Sequence, residues 1–395
     1  MRVLGVVRGR ARRVHFVGGN GLHISSYEPF LTALGRNSDV SVTTTDLSSL
    51  SKLAVAADVL KSDTGVWEAA TNLVVCDAQA AARKNRAVHG AGPACLGAEA
   101  EADGGVIGIG HSLGGALTLC AAARAAPGTF NKIICIDPPM FHQNKRSAAF
   151  LLNKLGVLPK HNPLSNSARR RRQSFRSSEH VRKHFTGRGT FAEWDHACIA
   201  SFAIGGVERN GDSDNAGDNG GDGDGNGVAL KFTPALEAAF FAETPTETDW
   251  APQGAADSLA TAHHTPVCIF LNVLEDAGGA SRRRPLKNGT RGGWLAGCVS
   301  CVYADVRAIA HDDVIVEWNP TTWLGQYNVP PVPGHYIYST QHRYTSAADI
   351  AWLKERLGGM LAFEPVDYGH FFPLEVPATA ANYVIDLLFQ DSCEN

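Results

Sequence analysis

Residues Val106 to Gly115 read Val-Ile-Gly-Ile-Gly-His-Ser-Leu-Gly-Gly: a short apolar run that breaks into Gly-x-Ser-x-Gly and passes at once into a helix of small residues, Gly114 to Ala126. A strand can hand over to a helix in so few residues only through a tight turn with the serine at its tip. Glycines two places before and two places after Ser112 remove the side chains that would collide there. Such a junction belongs at the end of a strand in a parallel sheet, so it constrains the whole chain. The remaining pattern agrees. Val14 to Val17, Val40 to Thr44, Gly105 to Ile109 and Lys132 to Ile136 read as strands, alternating with helical stretches that open at Tyr27 and run over Ala69 to Ala82. Tyr336 to Ser339, Ala347 to Leu357, Gly359 to Val366 and Ala378 to Phe389 continue the alternation as strand, helix, strand, helix. This rhythm predicts an α/β fold, a mostly parallel central sheet with helices on both faces.

The middle of the chain breaks the rhythm. From about Phe141 to Glu243 the sequence reads as strand-free and helical, with a basic stretch over Ala168 to Phe185 and further helical patches over Ala192 to Ala203 and Pro234 to Ala242. The organisation expected is therefore a first half of the core over 1–140, a helical insertion over 141–245, and the second half of the core over 246–395. Residues 209–227 are almost wholly Gly, Asp, Asn and Ser and cannot bury apolar surface, so a disordered loop is expected there, and 277–293 reads as a second solvated loop. Asp222 to Gly227 matches the first half of a calcium loop, but Thr233 stands where a bidentate glutamate is needed, so low complexity explains it better.

Composition excludes several classes of function. With 36 Lys plus Arg against 39 Asp plus Glu, the chain of 395 residues carries a formal charge of -3 and no general attraction for nucleic acid. No apolar run approaches the ~18 residues of a membrane span. Nine cysteines without regular spacing argue for a reducing compartment rather than a disulfide framework. Cys298 and Cys301 form an isolated Cys-x-x-Cys that lacks the second pair a zinc site needs, and neither metal nor other cofactor is expected. Met1 to Arg13 holds five arginines and no acid but is not followed by an apolar segment, so it reads as a first short strand and a basic turn. The Asn288-Gly289-Thr290 sequon has no use without secretion, and a cytoplasmic location is expected.

Three motifs in order give a resemblance to the α/β-hydrolase superfamily. The first is Val14-His15-Phe16-Val17-Gly18-Gly19-Asn20-Gly21, similar to that family's strand and oxyanion loop; Tyr27 to Leu31 then opens the next helix. The second is the turn around Ser112. The third is Asp367-Tyr368-Gly369-His370-Phe371-Phe372-Pro373-Leu374-Glu375, similar to the Gly-His turn that follows the family's last strand. The inserted region lies where the family carries a lid, and Ala168 to Arg172, Phe191 and Trp194 resemble lids of bacterial and fungal hydrolases, a peroxisomal lipase group among them.

The resemblance implies roles. Ser112 would be the nucleophile, His370 its base and then the acid for the leaving group. The backbone N–H of Leu113, with one from the Gly18–Gly21 loop, would form the oxyanion hole; Asn20 is favoured there, with Gly19 beside it. His111 would pack or hydrogen-bond locally against the turn. The acid is open, because Tyr336 to Tyr344 holds no carboxylate where the family usually has one. Asp137, Asp276 and Asp349 are the candidates. Asp137 is favoured, since it directly follows Lys132 to Ile136, although Asp137-Pro138-Pro139 is also a good turn sequence. The function implied is hydrolysis of a carboxylic ester, with an acyl lipid as the narrower reading, through an acyl-serine intermediate. The same residues would serve an acyltransferase, a thioesterase or a carbon–carbon hydrolase, and a non-catalytic ligand-binding protein of this fold is the alternative from another class. The partner expected is a small-molecule ester, with neither nucleic acid nor membrane insertion. The arginine run at 169–172 reads as a solvated face or as a steering patch for anionic substrates.

Overall fold

The computed structural model describes residues 12–37, 39–51, 65–88, 104–140, 162–210, 227–242, 332–341 and 344–390. Strand β1 (Arg12–Val17) leads through a 3-10 turn (Ile24–Tyr27) into helix α1 (Glu28–Gly35), and β2 (Val40–Thr45) is followed by the long helix α2 (Val66–Val88). Strand β3 (Val106–His111) enters α3 (Leu113–Arg124), and β4 (Phe130–Ile136) closes this half. After the inserted region come β8 (Gly334–Ser339), α8 (Ala347–Leu357), β9 (Leu361–Val366), the short α9 (Phe372–Glu375) and α10 (Pro377–Phe389). The six long strands form one sheet in the order β2-β1-β3-β4-β8-β9, every neighbouring pair parallel.

Parallel pairing requires helical crossovers, and these bury both faces of the sheet. The strand residues show it by alternation. Val14 and Phe16 of β1, Ile107 and Ile109 of β3, Ile134 and Ile136 of β4 and Ile337 of β8 share one apolar layer with α1 and α10. Val17, Val106, Ile133, Cys135, Tyr336 and Tyr338 point the other way, into a layer with α2, α3 and α8. The period of two is that of a pleated strand, and the apolar residues at both parities explain why these strands read as continuous hydrophobic runs.

The order also fixes where a site can form. From β1 the chain moves outward to β2, then returns to place β3 on the other side of β1 and continues outward from there. The connections leaving the C-terminal ends of β1 and β3 therefore diverge, and a crevice opens between them. Residues 18–21 leave one strand and Ser112 leaves the other.

The inserted region departs from the expectation of a strand-free segment. It contains α4 (Pro163–Arg169), α5 (Ser178–Phe185), α6 (His196–Gly205) and α7 (Pro234–Ala242), but also β5 (Ser174–Phe175), β6 (Val207–Arg209) and β7 (Val228–Leu230), which make a small antiparallel sheet in the order β5-β7-β6. The single basic helix expected over Ala168 to Phe185 is interrupted by β5. Ser177, in extended backbone, caps α5 through its side chain and so starts a new helix within the run. The strands are two or three residues long, too short for any periodicity to announce them. Of the Gly/Asp-rich segment, 211–226 lie outside the described residues, but its ends are paired: Asn210 donates to the Gly227 carbonyl at 2.8 Å, at the mouth of the β6–β7 hairpin. The short first strand expected near the N-terminus, over Arg2 to Val7, the loop 277–293 and Cys298 and Cys301 also lie outside the described residues. Among the described residues no helix is long and apolar enough to cross a membrane, and no cluster of three metal-ligating side chains occurs.

Close packing of α3 against β3 and against the end of β1 makes two glycines irreplaceable. A Cβ on Gly110 would stand 2.6 Å from the Gly115 nitrogen, and one on Gly114 would stand 2.5 Å from the Gly18 carbonyl oxygen. Gly35, at the end of α1, has nothing within 4 Å of such an atom. Gly114→Ala should therefore lower the unfolding free energy by about 2–3 kcal/mol, whereas Gly35→Ala should be neutral or stabilising by up to ~1 kcal/mol. Urea denaturation measures both, and equal effects at the two positions would contradict the packing argument.

Candidate active site

Ser112 stands between β3 and α3 with φ 53° and ψ -124°, a left-handed conformation that costs a non-glycine residue of order 1–3 kcal/mol. The surrounding backbone over-determines it. Its N–H donates to the Ile136 carbonyl at 2.8 Å, and its own carbonyl accepts from Gly115 and Ala116 at 2.9 and 3.2 Å. The strain pushes the hydroxyl out of the sheet edge, and Oγ lies 2.9 Å from Nε2 of His370. Nδ1 of the same ring lies 2.6 Å from Oδ2 of Asp137. Ser112, His370 and Asp137 thus form one hydrogen-bonded line.

Asp137 follows β4 directly and is the other non-glycine residue with positive φ among those described, at 41°. Its N–H donates to the Ile337 carbonyl at 2.7 Å, and its Oδ1 accepts from the Ser339 N–H at 3.2 Å, both on β8. With Oδ2 on the imidazole, the buried carboxylate has partners on both oxygens, as a buried charge requires. Of the other acid candidates, Asp349 is the N3 residue of a capping box at the start of α8: its Oδ2 accepts from the Ser346 hydroxyl at 2.5 Å and from the Ser346 N–H at 3.0 Å. These bonds tie it to the helix start. Asp276 lies outside the described residues.

Three tethers hold the turn that carries His370. Glu375, at the end of α9, reaches back to accept from the N–H groups of Gly369 and Phe371 at 3.0 and 3.1 Å. The Ser339 hydroxyl donates to the Tyr368 carbonyl at 2.6 Å. Nε2 of His111 lies 2.8 Å from the His370 carbonyl. Rings of Tyr344 and Phe371 pack at 4.2 and 5.0 Å from the imidazole and fix its plane.

On the facing side, the loop after β1 lies against the elbow: a Cβ on Gly19 would stand 3.4 Å from Cβ of Ser112. The two donors expected from this loop fare differently. Gly19 donates its N–H to the Tyr27 hydroxyl at 2.9 Å, so that donor is taken and the expectation of Gly19 as an oxyanion ligand is corrected. The Asn20 N–H makes no hydrogen bond among the described residues, and its side chain is turned away, Nδ2 donating to the Glu237 carbonyl at 3.1 Å. Leu113 is the first residue of α3, where backbone N–H groups have no intrahelical acceptor. Asn20 and Leu113 therefore leave two main-chain donors beside Ser112.

The inserted region grips this assembly from both ends. Arg171, facing inward while Arg169, Arg170 and Arg172 are exposed, pairs with Glu237 of α7 at 2.9 Å and donates to the Gly21 carbonyl at 3.1 Å. Asp195 donates its N–H to the Leu374 carbonyl at 2.7 Å, and Trp194 packs on Phe371 at 5.7 Å. Of the arginine run read as a solvated or steering face, one member is thus structural. Tyr27, Ser339, Tyr344 and Glu375 escaped the sequence reading. Only Glu375 left a signal, a carboxylate five residues after the histidine.

No protein-family model matches the chain, and neither does any curated protein. Among solved structures it is similar to E-2-(acetamidomethylene)succinate hydrolase, at 12% identity over 96% of this chain and 92% of that one, with a TM-score of 0.47. The thioesterase domain from the curacin biosynthetic pathway is similar at 10% identity over 95% and 91%, with a TM-score of 0.48. A peroxisomal α/β-hydrolase from Saccharomyces cerevisiae is similar at 12% identity over 98% and 79%, with a TM-score of 0.48.

Burial, aided by the neighbouring His370, lowers the pKa of His111 to about 3. In the unfolded chain the ring titrates near the ordinary ~6.5. Between those values the unfolded state binds the extra proton, so this group's stabilisation is complete above pH ~6.5 and falls as the pH drops, by up to ~1.4 kcal/mol per pH unit. Urea midpoints measured from pH 7 to pH 4 should decline, and His111→Gln should flatten the decline. An equal slope in the variant would show that His111 is not the buried neutral group.

Proposed function

We propose that this chain, whose fold is that of the α/β hydrolases, is a serine hydrolase that cleaves a carboxylic ester through an acyl-serine intermediate. The observation that carries the reading is the line Ser112 Oγ to His370 Nε2 at 2.9 Å and His370 Nδ1 to Asp137 Oδ2 at 2.6 Å. A hydroxyl at ordinary pKa is a poor nucleophile, and attack on a carbonyl requires its proton to leave as the carbon–oxygen bond forms. The imidazole takes that proton at Nε2. Asp137 holds Nδ1–H, which keeps the lone pair of Nε2 aimed at Ser112 and stabilises the imidazolium as it appears. The carbonyl oxygen becomes an oxyanion facing the Asn20 and Leu113 N–H groups, preorganised donors whose attraction grows as the negative charge develops. Collapse of the tetrahedral intermediate expels the alcohol, which leaves with the proton from His370. Water then repeats the sequence on the acyl-enzyme.

Two features bear on the substrate. The inserted region touches the loop after β1 through Arg171 and the turn of His370 through Trp194, and these contacts support the role of a lid for it. Its aromatic cluster of Phe185, Phe191, Trp194 and Phe202, with successive ring centroids 4.4–5.7 Å apart, runs up to Phe371 beside His370, which favours an apolar acyl group.

The test is covalent labelling of the full chain with a fluorophosphonate and identification of the modified peptide. Labelling is expected at Ser112 and absent in Ser112→Ala. Asp137→Asn should keep the fold while slowing labelling and ester turnover by about 10⁴-fold, because the ring is then offered the wrong tautomer. Asp349→Asn should leave the chemistry unchanged and lower stability by ~1 kcal/mol through the lost cap. Folded protein that resists the probe, or labelling at another residue, would overturn the reading.

A further inference from the structure

His111 and Tyr27 are buried polar residues that the proposed reaction does not use, and they lie between its two charge-handling arms. We propose that they are positioning residues: a one-directional chain of hydrogen bonds, from Gly19 N–H through the Tyr27 hydroxyl and the His111 ring to the His370 carbonyl, fixes the oxyanion loop and the turn of the general base to the nucleophile as a single unit. The proposal rests on the serine-hydrolase reading.

Donor and acceptor accounting gives the direction. A backbone carbonyl can only accept, so the His111 nitrogen 2.8 Å from the His370 oxygen, Nε2, carries a hydrogen. Burial keeps the ring neutral, so Nδ1 holds the lone pair. Nδ1 lies 2.6 Å from the Tyr27 oxygen, and the phenol, whose pKa burial raises, remains protonated and donates to it. That oxygen then accepts the Gly19 N–H at 2.9 Å. Each of the three bonds admits this one polarity, and reversing any of them would leave a buried donor facing a donor or an acceptor facing an acceptor.

The ends of the chain touch different parts of the machinery. Gly19 precedes Asn20, and the orientation of the peptide at Gly19 sets where the Asn20 N–H can point. His370 carries the base on the residue whose carbonyl is held. The middle of the chain, His111, is bonded covalently to Ser112. Neither Tyr27 nor His111 touches the reacting atoms, yet freeing either would let the two arms drift against the nucleophile. A misplacement of about 1 Å is enough for a ~100-fold loss.

The experiment compares wild type, Tyr27→Phe, His111→Leu, the double variant and His111→Gln, using turnover of p-nitrophenyl butyrate, the rate of fluorophosphonate labelling, and thermal midpoints. Each single variant should lower kcat about 10- to 100-fold with KM changed less than about threefold, since the chain acts on positioning rather than binding. Members of one chain are not additive, so the double variant should be no slower than the worse single. Glutamine offers one donor and one acceptor, and His111→Gln should recover part of the rate lost in His111→Leu. Tyr27→Phe keeps the core-filling ring, and its loss of kcat should not follow its loss of thermal midpoint. Active wild type with kcat unchanged in Tyr27→Phe, or losses that multiply in the double variant, would overturn the chain while sparing the serine-hydrolase reading. Wild type that neither turns over nor labels would overturn both.

Discussion

Everything at the site depends on one unfavourable backbone conformation at Ser112. A residue at φ 53° would relax if the chain around it could, and the elements that prevent this are the same ones that make the fold. Gly110 lets α3 press closely on β3, Gly114 lets it lie equally closely against the end of β1, and β4 takes the Ser112 N–H through the Ile136 carbonyl. Asp137 repeats the device one strand further along, with its own positive φ and its own bond to the next strand. Strain of this kind persists only where tertiary structure over-determines it. The sheet therefore builds the site directly: the ends of adjacent strands supply the hydroxyl and the carboxylate, and their separation is set by sheet geometry.

The imidazole arrives differently, from a turn beyond the sheet edge, and it is held by bonds rather than by strain. Glu375 takes two backbone N–H groups of 368–371 and Ser339 and His111 one carbonyl each, so the ring can reach both Ser112 and Asp137 without any member of the turn being in an unusual conformation. Two rigid groups and one tethered group suit the proposed reaction, in which His370 alone would pass a proton, from the Ser112 hydroxyl to the leaving alcohol.

What could be read from the sequence was whatever is local. The elbow announces itself within ten residues, because glycine spacing and a strand–helix boundary are chain-neighbour properties. The parallel sheet is legible for the same reason, from apolar runs between helical stretches. Asp137 was ambiguous because an aspartate before two prolines is a good turn in its own right, and only the partner strand β8 distinguishes the two roles. Tyr27 and His111 could not be paired from sequence at all: 84 residues separate them, and nothing in either neighbourhood encodes the other. The small sheet β5-β7-β6 failed for want of length, and the inward turn of Arg171 failed because four consecutive arginines look alike until Glu237, far along the chain, selects one.

The hairpin mouth at Asn210 and Gly227 has a consequence for how such a chain can change over generations. The hydrogen bond between these residues closes the small sheet regardless of how much chain joins them. Doubling the length of a flexible connection adds only about 0.6 kcal/mol of closure cost. Insertions and deletions at this point are thus separated from the line of Ser112, His370 and Asp137, and a low-complexity tract can lengthen there at little cost to the fold. The neck is thus a place in the gene where new sequence can be tried before it has any use.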